Sequence, residues 1–189
     1  DTLVMSPFWI IYLIMDMTGE MYYDTKTGKE FEIGSFLELD LRSGKEYFAD
    51  NTNLARFNSG RSGIYHALRL MNCNTIFIPF YLCPDVAHFL NERAVNVCYY
   101  YISERFEPLI NENEKDSAIL IVNYFGLFSE LGLRQLRSKY RNVIIDNCGA
   151  FFMPAFEDCF NVYSCRKFFG VPDGCYVVGP GAGTNPYHE

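Results

Sequence analysis

The stretch "SAILIVNYF", residues 117–125, is a nearly continuous apolar run closed by two polar residues and a ring. A strand packed on one face alternates apolar with polar side chains, whereas a strand covered on both faces reads as an unbroken Val/Ile/Leu run. Such strands belong to sheets sandwiched between helices, so the neighbouring segments should alternate in type. Upstream, "SGRSGIYHALRLM" places Ile64, Ala67, Leu68 and Met71 three and four apart, the spacing of one helix face. "TIFIP" (75–79) reads as a short buried strand ended by Pro79, and "PDVAHFLNER" (84–93) as a helix with proline in its first turn. "VNVCYYYI" (95–102) is rich in strand formers. Downstream come a helix over "SELGLRQLRSKY" and the strands "NVIID" (142–146), "CFNVYS" (159–164) and "CYVVG" (175–179). The pattern predicts an α/β domain whose mostly parallel sheet lies between helical layers.

The chain has 189 residues, 49% hydrophobic and 17% aromatic, which is ample core for one domain. Its formal net charge of −7 disfavours nucleic acid as a main ligand. Seven cysteines without a C-x-x-C pair or histidines at zinc spacing read as buried reduced thiols of a cytoplasmic protein, with no metal site. The acidic loop "NENEKD" (111–116) lacks EF-hand spacing. The apolar segment 3–15 is shorter than the roughly 20 residues that span a bilayer and lacks a basic leader, so no membrane role is expected. Residues 1–54 are read as an extension and entry segment with Met17 nearer a natural start, 55–179 as the domain, and the Gly/Pro-rich 180–189 as a tail. His66 and His88 are read as packing or surface residues, and "YYY" (99–101) as strand packing.

In open parallel sheets ligands gather at the carboxyl ends of strands. The residues just beyond those ends are Tyr81 and Cys83, Asn123 and Tyr124, Asp146 and Asn147, and Ser164 and Lys167. "NSGRSG" (58–63) runs a glycine-containing turn into a helix, which is either an ordinary capped start or a phosphate cradle that Arg61 and Ser62 supplement. Asp146 either caps a nearby loop or faces a ligand, because an unpaired buried carboxylate is costly. Lys167 is either a solvated rim residue or an amine used in chemistry. Together, an anion cradle, an acid and an amine are what pyridoxal 5′-phosphate requires.

"NSGRSGIYHAL", "IPFYLCPDVAHFL", "AILIVNYFG", "VIIDNCGAFF" and "YSCRKFFGVPDGC", in this order, resemble the large domain of the DegT/DnrJ-type sugar aminotransferases, a family of fold type I pyridoxal-phosphate enzymes. The resemblance covers residues 55–178. It implies a three-layer α/β/α sandwich, with the family's small C-terminal domain absent from this chain. It implies that Lys167 carries the cofactor as a Schiff base and shuttles the proton, and that Asp146 keeps the pyridine nitrogen protonated. Gly60, Arg61 and Ser62 match the phosphate loop, Ser164 a serine that also meets the phosphate, and Cys83 or Tyr81 the position that stacks on the ring. An amino-acid donor such as glutamate, a nucleotide-linked keto-sugar acceptor and a homodimer complete the implied activity. Three positions depart from the family pattern: Gly149, where many members carry Gln or His; Cys83, where an aromatic ring is usual; and Cys175, where a second glycine often follows "PDG". Gly149, Cys83 and the early end of the chain set against it a second reading, a truncated, inactive large domain serving as a binding or interaction module, or a gene fragment. A nucleotide-binding domain using the "SGRSG" turn is a third.

Overall fold

The computed structural model describes residues 44–184; the segment 3–15, Met17 and His188 lie outside the described residues. Its elements are β1 (Leu54–Phe57), α1 (Gly60–Leu70), β2 (Thr75–Pro79), α2 (Pro84–Asn91), β3 (Asn96–Tyr100), β4 (Ser117–Val122), α3 (Glu130–Ser138), β5 (Val143–Asp146), β6 (Phe160–Ser164) and β7 (Cys175–Val178). The seven strands form one sheet in the order β1-β7-β6-β5-β4-β2-β3. β3, β2, β4, β5 and β6 are mutually parallel, and β7 runs antiparallel to both β6 and β1. The antiparallel turn follows from chain length: residues 165–174 include one short helical turn, Cys165–Lys167, and no α-helix to carry the chain back for a parallel return.

The run that opens the sequence forms β4, and its side chains alternate between two cores. Ala118 and Leu120 pack with Ile64, Leu68, Ala87 and Leu90 of α1 and α2, while Ile119 and Ile121 pack with Leu133 and Leu136 of α3. Helices therefore cover both faces, giving the expected α/β/α layers. Ile119, Leu120 and Ile121 are buried, each contributing about 1.5–3 kcal/mol of transfer free energy. β4 stops at Val122, short of the predicted end, because residues 124–126 form a tight turn in which Phe125 takes a left-handed backbone (φ 55°). The strand Leu54–Phe57 carries Arg56 midway, and its side chain forms a bidentate pair with Glu46 at 2.6 and 2.8 Å. Among the cysteines, Cys73, Cys159 and Cys175 are buried, but Cys83 is exposed, against the expectation of uniformly buried thiols.

Helix α1 lies against β6 and β7 at Gly63, where a Cβ would meet Val177 Cγ2 at 2.7 Å and Cys175 Sγ at 3.0 Å. His66, on the same helix, is buried; its Nε2 lies 2.8 Å from the carbonyl of Ala182 in the turn after β7. Burial holds the His66 pKa below its usual value, with the Ala182 contact opposing in part.

Two outcomes follow from this packing. Gly63→Ala lowers the urea midpoint, because roughly 1–3 kcal/mol of overpacking exceeds the gain of about 1 kcal/mol that alanine brings to a helix. For His66 the unfolded chain takes up the proton first as pH falls, so its contribution is complete above about pH 6.5 and declines below it. Thermal midpoints measured from pH 7.5 down to 5.5 should fall less steeply in His66→Gln than in wild type.

Candidate active site

The strands β4, β5 and β6 end on the same edge of the sheet, beside the N-terminus of α1. Asp146 shares a face with Ile144 and Ser164 with Val162, and both of those pack toward α1. The cleft above this edge has a volume of about 520 Å³, and Gly60, Arg61, Tyr81, Cys83, Asp146, Ser164 and Lys167 all line it. Of the residues singled out from sequence for the site, Ser62 and the strand-end Asn147 are outside this lining. The Ser62 hydroxyl lies 3.1 Å from Asn58 Oδ1 and 3.0 Å from Ser59 Oγ instead.

The first turn of α1 is open to an anion. The side chain of Ser59, the N-cap, caps no backbone amide of the helix, and no acidic residue stands in the first turn. Its hydroxyl is turned to Asn58 Oδ1 at 3.2 Å. Gly63 N donates to Ser59 O, but the amides of Gly60, Arg61 and Ser62 have no acceptor among the described residues. At Gly60 a Cβ would stand 3.0 Å from Cys148 Sγ, so a side chain there would crowd the cleft floor. The Arg61 guanidinium is drawn sideways, 3.7 Å from Asp85 and over the Phe89 ring at 5.6 Å.

Asp146 is 6% exposed and accepts a 2.8 Å hydrogen bond from Cys148 N. Burial and then the adjacent carboxylate push the Cys148 thiol well above its usual pKa, so it stays protonated on the cleft wall. Tyr124 is likewise raised, by burial first and Asp146 second, and its hydroxyl donates to the Tyr81 carbonyl at 2.5 Å. The two rings stack at 5.4 Å, which fixes Tyr81 at the cleft mouth. Lys167 ends a short helical turn, Cys165–Lys167, directly after β6, and is exposed with no hydrogen bond or ion pair among the described residues. Arg166 beside it also lines the cleft.

Asn123 gives a second sign that the cleft is built for a ligand. Its Nδ2 donates to Asn147 Oδ1 at 3.0 Å, yet its Oδ1 is buried without a partner on the cleft wall. Its neighbour Asn147 likewise leaves a buried Nδ2 without a partner, whereas Asn161 bonds to Phe156, Cys159 and Val178 through both ends of its amide. An uncapped helix start, an acid on the sheet edge, an orphaned amide oxygen and an unpaired amine fit the phosphate, ring and aldehyde of pyridoxal phosphate. Cys148 and Arg166 escaped the sequence reading as site residues, although Cys148 follows Asp146 by two and Arg166 adjoins Lys167. Among the described residues there is no cluster of His, Cys, Asp or Glu able to hold a metal, and no helix long and apolar enough to cross a membrane.

Comparison with solved structures gives the fold its context. 3-Amino-5-hydroxybenzoic acid synthase matches at a TM-score of 0.56 and 14% identity, over 73% of this chain and 41% of its own. The sugar aminotransferase CalS13 from Micromonospora echinospora matches at 0.55 and 17%, over 69% and 42%. DesV from S. venezuelae matches at 0.51 and 22%, over 68% and 40%. The chain shares the fold of part of each of these proteins. It spans less than half the length of these proteins. No protein-family model matches the chain, and no curated protein does.

Gly149 lines the cleft, and a Cβ there would meet nothing nearer than Phe125 N at 3.6 Å and Asn123 O at 3.8 Å. Gly149→Gln should therefore keep its stability within about 0.5 kcal/mol of wild type by urea unfolding. A loss above about 1 kcal/mol would contradict the open space at this wall.

Proposed function

We propose that this chain binds pyridoxal 5′-phosphate through Lys167 and serves amine transfer from an amino acid, such as glutamate, to a nucleotide-linked keto sugar. The observation that carries the reading is the convergence of the uncapped α1 N-terminus, Asp146 and Lys167 on one cleft. The aminotransferase fold of its structural neighbours supports it.

In this reading the amides of Gly60, Arg61 and Ser62 and the Ser164 hydroxyl bind the cofactor phosphate, aided by the positive end of the helix dipole. Asp146, oriented by the Cys148 amide, holds a proton on the pyridine nitrogen. Bound pyridoxal phosphate supplies an electron sink for the carbanion formed at the amine-bearing carbon. Tyr81, Cys83 and Asn123, which line the same cleft, would hold the ring. Lys167 Nζ would hold the cofactor through its aldehyde and would serve as the group that moves a proton at the substrate carbon. Arg61, Arg166 and Lys167 outnumber Asp85 and Asp146 in the lining, which favours anionic ligands in a chain of net charge −7. A homodimer and a cytoplasmic location belong to the same proposal.

The test is an absorbance titration with pyridoxal phosphate. Wild type should develop a near-visible band that borohydride removes, and Lys167→Ala should develop none. Asp146→Asn should keep the covalent attachment and lose about 10²-fold or more of amine transfer, because the electron sink depends on its charge. An equal band in Lys167→Ala, or none in a folded wild type, would overturn the proposal.

A further inference from the structure

Lys167 sits on a turn that makes little backbone structure of its own. Cys165 N donates to Gly174 O at 2.9 Å, the amides of Phe168 and Phe169 both reach the Cys165 carbonyl at 3.0 Å, and Val171 N reaches Phe169 O at 2.8 Å. None of these bonds ties the turn to a helix. What lies beneath it is a cluster of rings. Phe151, 1% exposed, is the hub, with Phe169 at 4.8 Å, Phe168 at 5.8 Å and Tyr163 at 5.9 Å between centroids.

The outer wall of this cluster comes from far away in sequence. Tyr47 packs edge-on to Phe151 at 5.1 Å and lies 5.2 Å from Phe169, so its ring bridges the hub and the residue two beyond the lysine. Phe48, its neighbour, goes inward to Tyr163 at 4.8 Å and Tyr176 at 5.6 Å. Phe48 takes a left-handed backbone, φ 59°, a conformation that non-glycine residues adopt only when their surroundings enforce it. Enforcement is visible on both sides: Asn51 N donates to Phe48 O at 2.9 Å, and Glu46 is clamped by the Arg56 guanidinium on β1. Tyr47 is itself absent from the cleft lining.

We infer that residues 46–48 form a strap that sets the position of the Lys167 turn, with Tyr47 as the positioning residue that acts through Phe169. This rests on the proposed role of Lys167, but it concerns a segment to which that role assigns nothing. Ring pairs of this kind contribute beyond their buried area, and a turn with few bonds of its own takes its order from them. The ring is what matters: Tyr47 makes no side-chain hydrogen bond among the described residues, so phenylalanine should replace it.

The test uses the full chain as wild type, Tyr47→Phe and Tyr47→Ala, with two readouts. In amide hydrogen exchange without cofactor, Tyr47→Ala should exchange at residues 165–170 about tenfold faster than wild type, while residues 143–146 of β5 keep their rate. Its pyridoxal phosphate uptake, followed by absorbance, should weaken about tenfold as well, and Tyr47→Phe should match wild type in both. Unchanged exchange at 165–170, acceleration that extends equally to β5, or faster exchange with undiminished uptake would each overturn the inference. If wild type takes up no pyridoxal phosphate, the proposed function fails, and the exchange comparison alone still decides whether the strap orders the turn.

Discussion

Everything at the cleft depends on how closely α1 can approach the sheet. At Gly63 there is no room for a methyl group between the helix and the side chains of Val177 and Cys175. That contact sets the height of the helix over β6 and β7, and hence places its first turn beside the ends of β5 and β6. A helix held further out would keep its amides uncapped but would carry them away from Asp146 and Ser164. Packing at one glycine thus decides whether an anion at the helix start and a ring over Asp146 can belong to the same molecule.

The cleft that results divides by chemistry. Over β5 and β6 stand the helix amides, the buried carboxylate and the two neighbouring cations Arg166 and Lys167; over β2 and β4 stand Tyr81, Tyr124 and the orphaned Asn123 oxygen. The floor is made of groups that stay neutral, since burial keeps both Cys148 and Tyr124 protonated. Asp146 is the buried carboxylate among these lining residues, so a cationic ring nitrogen has an evident counterpart. The strand-end lysine, by contrast, is solvated and unpaired, and its order comes from the aromatic cluster under its turn.

Much of this was legible in sequence because it is local. The run Ala118–Val122 announces a strand covered on both faces, the three-and-four spacing from Ile64 to Met71 announces α1, and the strand-end rule picks out Asp146, Ser164 and Lys167. What escaped is set by contacts distant in the chain. "LARF" (54–57) is too short and carries a mid-strand arginine, so it becomes a strand only through pairing with β7 and the clamp of Glu46 on Arg56. Tyr47 and Phe48 lie in a stretch with no periodicity, and nothing local tells that their rings meet Phe151 and Tyr163. Ser62 was expected at the phosphate by its place in the turn. Its hydroxyl is held instead by Asn58 and Ser59, leaving its backbone amide as the group facing an anion.

The proposed chemistry stands or falls on which amine the cleft uses. The most direct measurement is the mass-spectrometric position of the pyridoxyl group after borohydride treatment of the wild-type chain loaded with one equivalent of pyridoxal phosphate. Attachment at Lys167 and no other lysine is the predicted result. A label shared among the other lysines, at 26, 29, 45, 115 and 139, with no preference for Lys167, would contradict it.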